Sequence, residues 1–358
     1  MTTLNDLFTK YLQSIMPDEK AKDRAKTAHT DLRDDLVIDE QLGQFIARTL
    51  LSGSYGRDTA THGIKDVDII VQLTLTQSDV RTMKNENETE QACLLRLTKK
   101  AIERTGRAAE TKTARRSITV ELPEDINEIA GNLPALTLDI VPVLIPYDKE
   151  KDPMWIADRE LRQWCYTYPN SQLNDSVDRN QQSEKIDGYF SYKSLVKMIK
   201  SWKKVHFGKN KTPKGFILEC MVAQFHNPQA KYWVDAVIDF LQNVCNVYPD
   251  PNGLQYIPEV HDISNLNPQT IPIAKTIESA RHVLNKMHWS LTQVKLAKET
   301  AETNLYQAAK ILQLVFGSDG SMDLCFPLPE EDDTKSNNVA SIAEMGSKHD
   351  IREAPKFG

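Results

Sequence analysis

The 358-residue chain carries 44 Lys and Arg against 50 Asp and Glu, a formal net charge of -6, with 40% hydrophobic and 26% charged residues. That is the composition of a globular protein with chain enough for two domains or one large one. The acidic balance argues against strong binding of long nucleic acid, and no apolar stretch reaches the roughly 20 residues that span a bilayer. Five scattered cysteines without Cys-x-x-Cys spacing, and an N-terminus lacking a basic-then-apolar leader, predict reduced thiols and a cytoplasmic location.

Residues 3–16 predict an amphipathic helix with Leu4, Leu7, Phe8, Tyr11 and Ile15 on one face. After Pro17-Asp18 the chain reads as largely helical to residue 48. Leu36, Ile38, Leu42 and Ile46 are expected to pack under a Gly53-Ser54 turn. The run Val67, Ile69, Ile70, Val71 is β-branched and short, the pattern of a buried strand. Alternation along that strand places Asp66 and Asp68 on one face. Two such carboxylates repel, and Mg²⁺ accepts open carboxylate oxygens with phosphates completing its shell. An isolated Asp-x-Asp also arises by chance on surface strands. Here the glycine of Gly53-Ser54 lets backbone amides approach a phosphate and the serine adds a hydroxyl donor, which favours a site.

Residues 77–105 read as a helix with Cys93, Leu94, Leu97 and Ile102 as its apolar positions. Strands are expected at 117–122 and 136–145. Within the second, Asp139 is costly among apolar neighbours unless paired or metal-bound. Alternatively it sits at the solvated end of an edge strand, which Pro142 permits. Residues 155–170 read as linker, 171–187 as a polar loop, and the domain transition is placed near Thr167.

The helix at 189–204 has Leu195, Met198, Ile199 and Trp202 on one face and Lys193, Lys197, Lys200 and Lys204 on the other. That stripe is either solvated or the wall of a cleft that offsets triphosphate charge. Lys214, Gly215, Phe216 and Glu219 open a further apolar helix through Phe225, and more helices are expected at 228–246 and 272–316. Residues 329–358 read as a flexible tail.

Gly53-Ser54, a spacer, then Asp66-Val67-Asp68 resembles the signature of the DNA polymerase β-like nucleotidyltransferases. Asp139-Ile-Val-Pro142 matches the strand that carries the third metal carboxylate in that superfamily. Lys200-Ser-Trp202 and Phe216-Ile-Leu-Glu219 resemble segments of the oligoadenylate synthetases and cyclic GMP-AMP synthase-like enzymes. There a lysine and a serine touch the triphosphate and an aromatic stacks on the donor base. Gly215 stands where that serine is expected, so the contact falls to Lys214 or a backbone amide, and Phe216 is either the base platform or core. Taken together, residues 40–317 resemble the bacterial CD-NTases, the cyclic oligonucleotide synthases of CBASS anti-phage operons.

The resemblance implies an α+β fold, with a polymerase β-like palm and N-terminal helix over 1–166, an all-helical domain over 167–328 and a tail over 329–358. It implies Asp66, Asp68 and Asp139 as catalytic metal ligands for two Mg²⁺ ions, with Mn²⁺ as an alternative. Gly53, Ser54, Lys197, Lys200, Lys214 and Phe216 become the nucleotide contacts. NTPs, ATP among them, are the implied substrates of a cyclic di- or trinucleotide synthase, and a product-sensing effector is an implied partner. The tail ends at Gly358, which is either an ordinary chain end or a residue conjugated by an E1/E2-like ligase. A membrane and strong nucleic-acid binding are not expected. The zinc-thumb His and Cys residues of animal cyclic GMP-AMP synthase have no counterpart here. Linear oligoadenylate synthesis, RNA tailing and an inactive nucleotide-binding scaffold remain alternative readings of the same residues.

Overall fold

The computed structural model describes residues 2–123, 135–145, 151–208, 212–318 and 325–330. The expected tail beyond 330, with Gly358, lies outside them. Helix α1 (Leu4–Ile15) opens on a capping box in which Thr3 and Asp6 satisfy each other's backbone amides. Helix α2 (Glu19–Val37) is N-capped by Asp18. The expected helix to residue 48 stops there, and the chain becomes strand β1 (Ile46–Ser52) after a short 3-10 turn. Leu36 and Leu42 are buried as expected, but Ile38 is 78% exposed because it lies past the last helical turn.

The four-residue helix α3 (Gly53–Gly56) leads to β2 (Asp66–Leu73). The single helix expected over 77–105 is two, α4 (Gln77–Met83) and α5 (Glu90–Arg104), because Thr89 starts a new N-cap on Ala92. Strands β3 (Glu110–Thr113), β4 (Ile118–Glu121) and β5 (Thr137–Leu144) follow.

Two stretches differ from expectation. The supposed linker holds a hairpin, β6 (Met154–Asp158) and β7 (Gln163–Thr167), closed by a fully buried Asp158 that accepts from Arg115 and Arg116. The supposed loop is helix α6 (Pro169–Gln181). Its Asn, Gln, Ser and Asp side chains signal a loop, yet they bond across to residues 262–265. Arg179 donates to the Ile263 carbonyl at 2.8 Å, and Ser264 Oγ meets Ser171 Oγ at 2.7 Å. Tertiary partners here override weak local propensity.

Beyond the small hairpin of β8 (Lys185–Ile186) and β9 (Tyr189–Phe190), the rest is mainly helical. Helices α7 (Ser191–Phe207), α8 (Gly215–Phe225) and α9 (Trp233–Val247) precede a short ribbon of β10 (Glu259–His261) and β11 (Thr270–Pro272). Helices α10 (Ile277–Ala301) and α11 (Leu305–Phe316) complete the lobe.

Strands β1 to β7 form one sheet. Its main path runs β1-β2-β5-β4-β3, β6 pairs with β5 and β7 with β6, and only the β2–β5 pair is parallel. Val67, Ile69, Val71, Leu138 and Ile140 on one sheet face pack against Leu32, Leu36, Leu94 and Ile102 of α2 and α5. Ile70, Val143, Met154 and Ile156 form a smaller apolar floor. A separate core unites α7 to α11, and α1 packs in it although it comes first in sequence. Leu7, Phe8 and Tyr11 meet Met198, Trp202, Phe240 and Phe316 there, and Tyr11 donates its hydroxyl to Ser201 at 2.8 Å. No helix is long and apolar enough to cross a membrane among the described residues.

Candidate active site

The parallel register sets Asp68 beside Asp139 and Asp66 beside Thr137. Period-two alternation therefore brings Asp66, Asp68 and Asp139 to one sheet face, opposite Val67 and Ile69. Gly53, at φ 60°, turns the chain directly over this pair: a Cβ on it would fall 1.7 Å from Asp68 Oδ2. Only glycine accepts both that backbone and that approach.

Burial, with the charges of Asp66 and Asp139, pushes the Asp68 carboxyl up to about 6. Burial also raises Asp139, against the Thr119 hydroxyl that donates to its Oδ1 at 2.5 Å. No described donor hydrogen-bonds the Asp68 side chain. Like charges held together, with Asp68 lacking a donor and oxygen as the only ligand atom, fit a hard divalent cation. The fit is not a preformed cage: among the described residues no three His, Cys, Asp or Glu side chains converge as a ready metal cluster. Asp139 is turned to Thr119, while Asp66 and Asp68 border the cavity.

That cavity, about 630 Å³, lies between the sheet and the helical lobe. Gly53, Ser54, Arg57, Asp66 and Asp68 line it from one side, and Lys200, Lys203, Lys204, Gly215, Phe216 and Glu219 from the other. The lysine face of α7 is not a solvated stripe: Lys197 is 4% exposed and Lys200 8%. Lys200 Nζ donates to the Glu219 carboxylate and, at 3.0 Å, to the Thr59 carbonyl. Glu219 also accepts from Arg57 Nε at 2.8 Å and Thr59 Oγ1 at 2.9 Å. Burial acts to raise Glu219, but Lys200 and Arg57 together hold it below the usual carboxylate range. Lys204 donates to Thr61 Oγ1 at 2.7 Å, and burial, reinforced by Lys65, Lys200 and Lys203, brings it down to about 8.

Of the expected nucleotide contacts, Gly53, Ser54, Lys200 and Phe216 border the cavity. Lys197 is engaged instead with Asp58 at 3.1 Å, and Lys214 is the exposed N-cap position of α8; neither lines the cavity. Liners not singled out as contacts from sequence include Arg57, Lys203, Lys204 and Gln172. Arg57 lies four residues past Gly53 and sets its guanidinium 5.2 Å from the Phe216 ring centroid. Proximity to the glycine turn could have flagged it. Gln172 had no such signal, because its helix read as loop.

A mixed sheet that holds a Gly-Ser turn over paired acids, faced by a helical lobe bearing lysines, defines a polymerase β-like nucleotidyltransferase. Residues 1–180 match the family model of the Second Messenger Oligonucleotide or Dinucleotide Synthetase domain, and the chain belongs to that family, the bacterial CD-NTases. A cyclic AMP-AMP-AMP synthase of Acinetobacter sp. is 28% identical over 268 residues, 73% of this chain and 69% of that one. The solved structure of Escherichia coli CdnC with ATP superposes with a TM-score of 0.64 at 16% identity, covering 88% of this chain and 99% of that one. Bradyrhizobium diazoefficiens CdnG in complex with GTP gives 0.64 at 13% identity, covering 88% and 95%. The enzyme is a nucleotidyltransferase of the cyclic oligonucleotide synthase class.

Proposed function

We propose that the enzyme joins NTPs, ATP among them, into a cyclic di- or trinucleotide second messenger in anti-phage defence, using Mg²⁺ or Mn²⁺. The observation that carries this reading is the register pairing of Asp68 with Asp139 beneath the Gly53-Ser54 turn. Asp66 and Asp68 would hold the metal, with Asp139 joining them after release from Thr119. Bound there, divalent ions supply acidification of an acceptor ribose hydroxyl and charge stabilisation on the entering and leaving oxygens.

The protein's own groups do the positioning. The Gly53-Ser54 amides and the Ser54 hydroxyl receive the triphosphate at the start of α3. Lys200, Lys203 and Lys204 offset its charge from the helical lobe, the electrostatic share that dominates phosphoryl-group chemistry. The Phe216 ring offers a face for the base. The Acinetobacter relative, a synthase of cyclic AMP-AMP-AMP, supports an adenine-containing product and a trinucleotide ring. An effector that senses the product is the partner that follows from such a messenger.

The test is incubation with four NTPs and Mg²⁺, followed by mass spectrometry of the products. Wild type is expected to give a cyclic oligonucleotide resistant to exonuclease, and a double Asp66→Asn, Asp68→Asn variant none while keeping its fold. Full activity in that variant refutes the metal site, and a linear product refutes cyclisation.

A further inference from the structure

Gln172 lines the same cavity from α6, away from both acids and the lysines in its bonding. Its Nε2 donates to both oxygens of Asp262 at 3.0 Å. Asp262 is 8% exposed and also accepts from the Ser264 amide at 2.9 Å and from Asn267 Nδ2 at 3.1 Å. Three donors converge on this carboxylate, so the Gln172 atom facing it must be the amide nitrogen. The side chain cannot turn over without placing its carbonyl against carboxylate oxygens. Its remaining polar atom, Oε1, is reached by no described donor. With Nε2 held by Asp262, Oε1 is the polar group that Gln172 has left to offer a ligand in the cavity it lines.

We propose that Gln172 reads the base of a bound nucleotide and selects those with an exocyclic amino group at the edge far from the ribose, adenine and cytosine. The proposal rests on the nucleotidyltransferase reading of this cavity. With ribose and phosphates held at Asp66 and Asp68, the edge farthest from the glycosidic bond is purine C6 or pyrimidine C4. Adenine and cytosine carry a donor there, whereas guanine and uracil carry a carbonyl that repels Oε1. A desolvated mismatch of two acceptors leaves both unpaired, which makes hydrogen-bond selection stronger than selection by shape. Asp262 acts as a positioning residue, since it sets which Gln172 atom faces the ligand.

Calorimetric binding of non-hydrolysable ATP, CTP, GTP and UTP analogues tests this without turnover. Pyrophosphate release from the natural NTPs, measured in parallel, tests the underlying reaction. Wild type is expected to favour the amino-bearing base of each pair by roughly tenfold. Gln172→Leu is expected to abolish that ratio while still binding triphosphates, and Asp262→Asn, which offers a donor in nearly the same shape, to narrow it. Melting curves confirm that both variants fold. Equal wild-type affinity within each pair, or a ratio unchanged in both variants, overturns the assignment. Selective binding without pyrophosphate release upholds the base reader and overturns the catalytic reading instead.

Discussion

Gly53 lies so close to Asp68 that a single added carbon would fall 1.7 Å from the carboxylate oxygen. The proposed phosphate turn and the proposed metal carboxylate are thus packed as one unit. Gly53→Ala is expected to displace Asp68 and lower kcat/KM by at least about a hundredfold, the usual effect of roughly 1 Å of misplacement. The left-handed backbone adds about 1–2 kcal/mol of destabilisation. Steady-state kinetics and urea unfolding measure both, and an active, stable alanine variant contradicts the close approach.

Asp68 titrates from about 6 in the folded protein against an ordinary 3.8. Between those values the folded state binds more protons than the unfolded chain, so stability falls as pH rises from about 4 to 6. Spanning about two pKa units, the loss is at most roughly 3 kcal/mol. Asp68→Asn is expected to remove that slope in chelator-treated protein and to melt higher than wild type at pH 7. Mg²⁺ should raise the wild-type melting temperature more than that of the variant. Identical pH–stability curves for the two proteins would refute the strain.

Lys204 carries its charge below about pH 8 and loses it above. Triphosphate affinity is therefore expected to weaken as pH rises through 8. Lys204→Met should bind more weakly at pH 7 and lack that inflection. Fluorescence titration with a non-hydrolysable analogue from pH 6.5 to 9.5 separates the outcomes, and an unchanged inflection in the variant would assign it elsewhere.

Glu219 ties the sheet to the helical lobe through Arg57, Thr59 and Lys200. Glu219→Gln keeps the volume but leaves two buried cations without their counter-charge. A loss of about 3–5 kcal/mol is expected, as for other broken buried pairs. Adding Lys200→Met should recover part of it, and strictly additive unfolding energies would exclude coupling.

Among the described residues, a Cβ at Gly215 would meet only Lys200 Cε, at 3.6 Å, an ordinary contact. Space therefore exists for the serine that the sequence resemblance leads one to expect there. Gly215→Ser is expected to fold normally and to bind triphosphate severalfold more tightly, since one hydrogen bond contributes about 1 kcal/mol. Weaker binding would show that the bare backbone itself is needed.

The sequence by itself determined the strand that carries Asp66 and Asp68 and the turn before it. Gly53, Ser54, Asp66 and Asp68 lie close along the chain, where strand alternation and glycine's backbone freedom act locally. That Asp139 needs a partner was legible for a similar reason, since an acid in an apolar strand has few inexpensive surroundings, and Thr119 is the partner it has. Helices α1, α7 and α8 were visible in their apolar spacing. The hairpin β6–β7 and helix α6 were not, because Asp158 and Gln172 are satisfied by partners distant in sequence, Arg115 and Arg116 for one and Asp262 for the other. Only the tertiary structure decided which lysines face the cavity. On the helix surface Lys197 and Lys200 are near equivalents, yet Lys197 meets Asp58 away from the cavity while Lys200 meets Glu219 within it. The difference arises from where the palm docks, and docking depends on surfaces that come together only after both lobes have folded.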